Sequence, residues 1–125
     1  MKYIKKFENI NEVFDIEKIV PREKIYNVFY THSLSCDPKH NKFLNYVEYM
    51  DEEYKIRCNF TALTYNGKTM SNILKTLQKI CYEIGSDDFT FGNYNNHGSY
   101  LVTFEYSKEK LKELEVIADS NKYNI

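Results

Sequence analysis

Apolar and polar side chains alternate most regularly between residues 54 and 65. Every second residue is apolar at the start of this stretch, a period typical of a strand that buries one face and exposes the other. The apolar members are Tyr54, Ile56, Cys58, Phe60 and Ala62. Residues 42–50 are rich in aromatic and apolar residues and predict a neighbouring strand, joined to the first by the acidic turn at 51–53.

Residues 24–32 support two interpretations. Their β-branched and aromatic composition favours a strand. They also place apolar residues at helical spacing after Pro21, on a face formed by Ile25, Val28, Phe29 and His32. We predict the strand, because the two strands that follow supply partners for it.

Helical periodicity is strongest between residues 68 and 84, where apolar residues recur every three or four positions. Gly85 follows at the position where a left-handed residue ends many helices. A second amphipathic stretch covers residues 108–120, and Ser107 precedes it as a candidate N-cap. Residues 8–19 predict a shorter helix that ends before the proline at position 21.

A β-hairpin is predicted between the two long helices, from residues 89–91 and 100–104 around an Asn-rich turn. The predicted order is therefore (α)-β-β-β-α-β-β-α. Short turns between consecutive strands indicate a mainly antiparallel sheet, and the helices carry apolar stripes that must cover one face of it. We predict one α+β domain over residues 1–125, a two-layer sandwich with residues 1–20 as an appended short helix or arm.

The composition excludes several classes of protein. A chain of 125 residues with 42% hydrophobic residues can fold without a disulfide or a metal, and its net charge of −1 does not favour nucleic acid as the partner. Three cysteines are no disulfide framework and fit a reducing compartment. The sequence shows neither a signal peptide nor an apolar run of membrane-spanning length. We expect a cytoplasmic protein with no membrane contact.

His32, Cys36 and His40 are the residues that most suggest a metal site. Histidine and cysteine are zinc ligands, but a structural site needs four, and the fourth would have to be His97 or Cys58. Cys36 and His40 are also a candidate nucleophile and base, for which the sequence identifies no orienting group. A polar loop that happens to contain these residues explains the pattern more simply, so we expect no cofactor. A small zinc- or cysteine-dependent enzyme stays an alternative.

Tyrosine is unusually abundant, with 12 residues. Protein interfaces are enriched in it because the ring is large and rigid and the tip is polar; a large core and codon bias would also raise the count. Alternation along residues 42–50 predicts apolar side chains on both faces of that strand. One face would carry Phe43, Val47 and Tyr49, and the other Leu44, Tyr46 and Met50.

A second apolar sheet face predicts contact with another protein or with a second copy of the chain. The acidic turn after this strand is a candidate docking point for a basic partner. The candidate binding residues are Tyr46, Tyr49, Asp51, Glu52, Glu53, Tyr65, Tyr94 and His97. We therefore predict a non-enzymatic protein-binding module. An RNA-binding domain that uses tyrosine and lysine on the sheet face is the second hypothesis.

Two segments resemble known proteins. The predicted α-β-β-β-α order of residues 8–84 is similar to that of a double-stranded-RNA-binding domain, which implies RNA binding. Such domains carry a lysine cluster where the second helix begins, and residues 68–72 offer Lys68 alone. The opening residues Met1–Glu8 resemble the starts of small proteins from low-GC bacteria and their phages. That resemblance implies a phage or mobile-element accessory protein that inhibits or modulates a host protein in the host cytoplasm.

Overall fold

Four antiparallel strands form one sheet in the order β1-β2-β4-β3. The structure, a computed structural model, describes residues 13–32, 44–61, 70–93 and 99–123. Within these ranges the helices are α1 (Ile16–Ile19), α2 (Arg22–Thr31), α3 (Met70–Glu83) and α4 (Lys108–Tyr123), and the strands are β1 (Leu44–Met50), β2 (Lys55–Thr61), β3 (Asp88–Asn93) and β4 (Ser99–Glu105). A single 3-10 turn, Asp51–Glu53, links β1 to β2. The α+β class and the antiparallel sheet are as predicted.

One face of the sheet forms the core. Alternate side chains of β2 and β4 are buried, as the period-2 pattern predicts, and their cross-strand partners match. Ile56 lies opposite Phe104, Cys58 opposite Val102, and Phe60 opposite Tyr100. The apolar stripes of the helices pack on this same face, with Ile25, Phe29, Ile73, Leu77, Ile80 and Leu111 among the buried residues.

The strand predicted over residues 24–32 is wrong, because residues 22–31 form the helix α2. Pro21 is extended, with φ −61° and ψ 147°, and sets the start of the helix. A helix places Ile25 and Phe29 together against the sheet, where both are fully buried. This burial outweighs the β-propensity of the segment. Within the described ranges two strands precede α3, one fewer than in a double-stranded-RNA-binding domain.

The sequence also predicted that Leu44 shares the second face of the strand at 42–50 with Tyr46 and Met50, and for Leu44 this is wrong. Leu44 pairs with Phe60, whereas Tyr46 pairs with Asn59, so β1 contains one extra residue. This β-bulge restores Leu44 to the core face, where it is buried together with Val47. Strict alternation would have separated these two residues, and without it the second face loses an apolar side chain.

The helix predicted over residues 8–19 lies partly outside the described residues, which begin at residue 13. Its described part is helical only over Ile16–Ile19, the helix α1. The two long helices are confirmed, although α4 runs to Tyr123 and not to residue 120 as predicted. The predicted start of α4 is also confirmed, since Ser107 Oγ accepts the Lys110 amide at 3.0 Å as an N-cap. Gly85 has φ +73°, a conformation that favours glycine, and a Cβ there would approach Leu114 Cδ1 to 3.0 Å, so the leucine side chain would have to shift.

Candidate protein-binding surfaces

The sheet face opposite the core is polar. The bulge leaves Asn45 and Tyr46 both exposed on it, and Tyr46 is 40% exposed. Asn45 Nδ2 donates to Asn59 Oδ1 at 2.7 Å, and Asn59 Nδ2 donates in turn to Ser99 Oγ at 3.0 Å. These side chains therefore satisfy one another across three strands, which explains why Asn59 is a buried polar residue.

Charged residues on this face are of both signs. Arg57 Nη1 lies 3.4 Å from Glu48 Oε1 on the neighbouring strand. Lys55 pairs in register with Glu105, which lies opposite Asp88 on the other side. Acidic and basic side chains are thus interleaved, and the described part of the face presents neither a row of aromatic rings nor an excess of positive charge. RNA binding through this face would require aromatic rings for base stacking and positive charge for phosphate contacts.

The structure gives different roles to the sequence-predicted binding residues of β1 and its turn. Tyr46 and the turn residues Glu52 and Glu53 are exposed. Tyr49 is partly buried; its hydroxyl donates to the Val20 carbonyl at 2.5 Å. Asp51 Oδ1 accepts the first amide of α1, from Ile16, at 3.1 Å. These last two residues hold the N-terminal helices to β1, so their contribution is structural.

Of the three candidate zinc ligands, the structure describes His32. His32 ends α2, and its Nε2 lies 2.9 Å from Glu83 Oε2 at the end of α3. Its proposed zinc partners Cys36 and His40 lie outside the described residues, as do Tyr65, Tyr94 and His97. Among the residues that the structure describes, no group of three or more metal-binding side chains converges.

Cys58 and Cys81 are buried in the core, Cys58 on the face that the alternation of residues 54–65 predicted to be buried. Burial raises the pKa of both thiols, because the thiolate is poorly solvated there. Burial likewise raises the pKa of Tyr49 and of Tyr106, whose hydroxyl donates to the Ile84 carbonyl at 2.8 Å. These groups are therefore neutral in the folded protein at pH values where an unfolded chain would ionise them.

We accordingly expect the protein to lose stability at alkaline pH. Above about pH 8.5, the unfolded thiols release protons that the folded ones retain, so the equilibrium shifts toward the unfolded chain. The stabilisation is complete below the unfolded pKa and declines as pH rises toward the raised folded pKa. Urea midpoints measured between about pH 7 and pH 10 would show the decline.

Cys58→Val provides the matched control for this effect. This variant keeps a small apolar side chain but removes the more deeply buried of the two described thiols, so the decline between about pH 8.5 and pH 10 should become shallower. An identical pH dependence in both proteins would contradict the assignment.

A second surface lies on the helical side of the molecule. There a groove of about 530 Å³ runs between the α1–α2 junction, the C-terminal end of α3 and the middle of α4. We name it the lysine-edged groove, and it is lined by Lys18, Ile19, Val20, Pro21, Lys24, Tyr82, Glu83, Ile84, Gly85, Ser86, Lys110, Leu114, Ile117 and Ala118. Val20 and Ile84 are buried beneath it, whereas Ile117 is 49% exposed and Tyr82 is 86% exposed. The groove therefore combines an apolar lining with a large exposed ring at its rim.

Three lysines from three helices flank this groove. Among the described residues, Lys24 and Lys110 have no carboxylate within ion-pair distance, and Lys18 meets only Asp15 at 4.0 Å. That pair is exposed and contributes little. The one carboxylate of the lining, Glu83, already contacts His32. A positive rim around apolar side chains favours an acidic ligand with an apolar face.

Sequence reasoning did not find this groove. Helical periodicity located α3 and α4 but gave no role to the lysines outside their apolar stripes. The convergence of Lys18, Lys24 and Lys110 depends on α1 and α2 crossing the ends of the later helices. The available signal was the helical interpretation of residues 24–32, which would have put Lys24 on a helix beside the core.

No helix in the described ranges is both long and apolar enough to cross a bilayer. Comparison with protein families, with curated proteins and with solved structures finds no match to this chain. Function must therefore be argued from the surfaces themselves.

Proposed function

We propose that the protein is a non-enzymatic protein-binding module that receives an acidic, apolar-faced segment of another protein in the lysine-edged groove. The observation that carries this proposal is the convergence of Lys18, Lys24 and Lys110 around exposed apolar side chains. The chain as a whole is close to neutral, so this local excess of positive charge selects for a partner of opposite charge.

The chemistry of the lining defines the partner. Tyr82 and Ile117 offer apolar area at the rim, and exposed tyrosines of this kind anchor many interfaces. The groove runs between helices, a geometry that accepts an amphipathic helix with apolar residues every three or four positions. Glutamate or aspartate beside those residues would face the lysines. A phage or mobile-element role, with a host protein as the partner, is the biological setting that residues 1–8 imply.

The alternatives have less support. RNA binding through the sheet face was predicted from tyrosine and lysine, but Lys55 and Arg57 lie there beside Glu48 and Glu105. A zinc- or cysteine-dependent enzyme built on His32, Cys36 and His40 stays a prediction, since two of these residues lie outside the described ranges.

A charge-reversal experiment tests the proposal. The probe is a labelled helical peptide with leucine on one face and glutamate on the other, and its binding is measured by fluorescence anisotropy. Lys24→Glu with Lys110→Glu should weaken binding by about tenfold or more, equal to about 1.4 kcal/mol. Added salt should weaken wild-type binding, because it screens the exposed charges.

The matched control reverses Lys75 and Lys79, two exposed lysines of α3 that do not line the groove. This double variant has the same change in net charge and should bind as wild type does. A peptide of the same composition in scrambled order should bind weakly. Equal loss in both double variants would show a non-specific charge effect and overturn the assignment to the groove, as would the absence of peptide binding.

A further inference from the structure

The two edges of the sheet are protected differently. β1 forms one edge, and there Arg22 Nη1 donates to the outward carbonyl of Val47 at 2.6 Å. β3 forms the other edge and, among the described strands, pairs with β4 alone. Natural sheets usually block an exposed edge, because its unpaired backbone groups can bind another strand.

The register identifies the unpaired groups of β3. The Tyr106 amide donates to the Tyr54 carbonyl. The backbone N–H and C=O groups of even-numbered residues of β4 therefore point toward β2, and those of odd-numbered residues point toward β3. Asp88, Thr90 and Gly92, which pair with those odd-numbered residues, consequently direct their backbone groups toward β4. The backbone groups of Phe89 and Phe91 point away from the sheet.

Very little covers this edge among the described residues. The Phe89 amide donates a hydrogen bond to Oδ1 of Asp88 at 2.8 Å. The Phe89 carbonyl and the amide and carbonyl of Phe91 have no described hydrogen-bond partner. The edge strand contains neither lysine nor proline, the residues that most often prevent strand addition.

We propose that β3 pairs antiparallel with β3 of a second copy of this chain, so that the two sheets join into one. A two-fold axis at Thr90 makes the strand complementary to itself. Phe89 then exchanges backbone hydrogen bonds with Phe91 of the second copy, and its amide gives up the exposed Asp88 carboxylate to do so. Thr90 lies opposite its own counterpart, and Asp88 lies opposite Gly92.

The side chains of this register favour a second copy as the occupant. No like charges are opposed, and a Cβ added at Gly92 would meet no heavy atom within 4 Å, so the space opposite Asp88 is open. Paired threonines are a favourable cross-strand contact. Phe89 and Phe91 are incompletely buried at the margin of the core, and pairing would place the rings of both copies side by side. This interface is independent of the lysine-edged groove.

Disulfide trapping tests the register directly. Opposed Thr90 residues form a non-hydrogen-bonded pair, whose Cα atoms lie about 4.5 Å apart, within the range a disulfide spans. Thr90→Cys, in a Cys36→Ser background, should form a covalent dimer under mild oxidation. Asn45→Cys, equally exposed but on β1, should not. Equal cross-linking of both variants, or of neither, would overturn the proposal.

Charge variants at Thr90 test the interface without a covalent bond. Thr90 is exposed, so lysine or glutamate there should leave the monomer folded, which circular dichroism can check. Light scattering of the wild type should give twice the 15.0 kDa chain mass as concentration rises. Thr90→Lys and Thr90→Glu should each dimerise at least about tenfold more weakly, because like charges face each other. Their mixture should recover the dimer.

Three outcomes would overturn the proposal. The first is a wild type that stays monomeric at all concentrations, and the second is a dimer that Thr90→Lys leaves unchanged. The third is a mixture of the two charge variants that does not associate. A monomeric wild type would mean that the β3 edge is open to an extended peptide from a different protein and not to a second copy. A dimer that Thr90→Lys leaves unchanged would mean that the chain self-associates through another surface.

Discussion

Replacing Phe60 with alanine is expected to lower the free energy of unfolding by about 3–5 kcal/mol, the range for a large aromatic removed from a packed core. Phe60 is 0% exposed. Its ring lies 5.7 Å from that of Phe29 on α2, 6.1 Å from Phe91 on β3 and 5.6 Å from Tyr100 on β4. One side chain thus joins the helical layer to two strands, and its loss leaves a cavity that none of them can fill alone.

The loss would be a large part of the total stability, which is about 5–15 kcal/mol for a domain of this size. Urea unfolding followed by circular dichroism would measure it. Tyr46→Ala is the matched control, since Tyr46 lies on the adjacent strand and the opposite face. It should cost no more than about 0.5 kcal/mol, the usual effect of a surface substitution. Comparable losses in the two variants would contradict the assignment of a single core to one face.

The sequence predicted this core position but not the helix that covers it. Alternation along residues 54–65 identified Ile56, Cys58 and Phe60 as buried. Successive side chains of a strand point to opposite faces of the sheet, so the apolar set marks the face that packs on the core. Residues 24–32 were ambiguous because β-propensity and helical spacing coexist in one short segment. Only the packing of Phe29 on the sheet distinguishes them, and packing depends on residues distant in sequence.

The bulge in β1 could not be predicted from the alternation of apolar and polar residues either. An extra residue shifts the phase of alternation, and nothing in the composition of residues 44–46 marks where the shift occurs. Its consequence for function is direct, since the predicted second apolar face depended on Leu44 and Tyr46 sharing one side. In the structure Leu44 is buried in the core, so the second face keeps Tyr46 and Met50 of the three apolar residues predicted for it and is a weaker candidate for binding.

The lysine-edged groove shows the same limit for a binding site. Each of its lysines has an ordinary solvated position within its own helix. The groove exists because α1 packs against α4 while α2 and α3 run alongside. Single-sequence reasoning can find sites formed by neighbouring residues, but a site assembled from four helices requires the tertiary arrangement.

Removing the Arg22 side chain is the second large effect that we expect. Arg22→Ala should cost about 2 kcal/mol. A hydrogen bond from a charged group to a carbonyl contributes about 1.5–3 kcal/mol, here to Val47 at 2.6 Å. The guanidinium also lies 5.3 Å from the centre of the Tyr49 ring, and an exposed cation–π contact adds about 0.5–1 kcal/mol. Urea midpoints would measure the loss.

Two further variants separate the contributions of Arg22. Glu17 lies 3.3 Å from its Nε, but this ion pair is about half exposed, so Glu17→Ala should cost less than about 0.5 kcal/mol. Arg22→Lys keeps the charge but lacks the planar guanidinium, and should retain only part of the stability. If Glu17→Ala cost as much as Arg22→Ala, the ion pair and not the backbone contact would hold α2 to the sheet.

Arg22→Ala should also change how the protein associates. With the Val47 carbonyl uncovered, β1 becomes a second open edge, and open edges pair with other strands. In a Thr90→Lys background, which blocks pairing through β3, self-association should reappear when Arg22 is replaced by alanine, and light scattering would detect it. A double variant that stays monomeric would mean that Tyr49 and Asp51, which hold the N-terminal helices in place, protect this edge without the arginine.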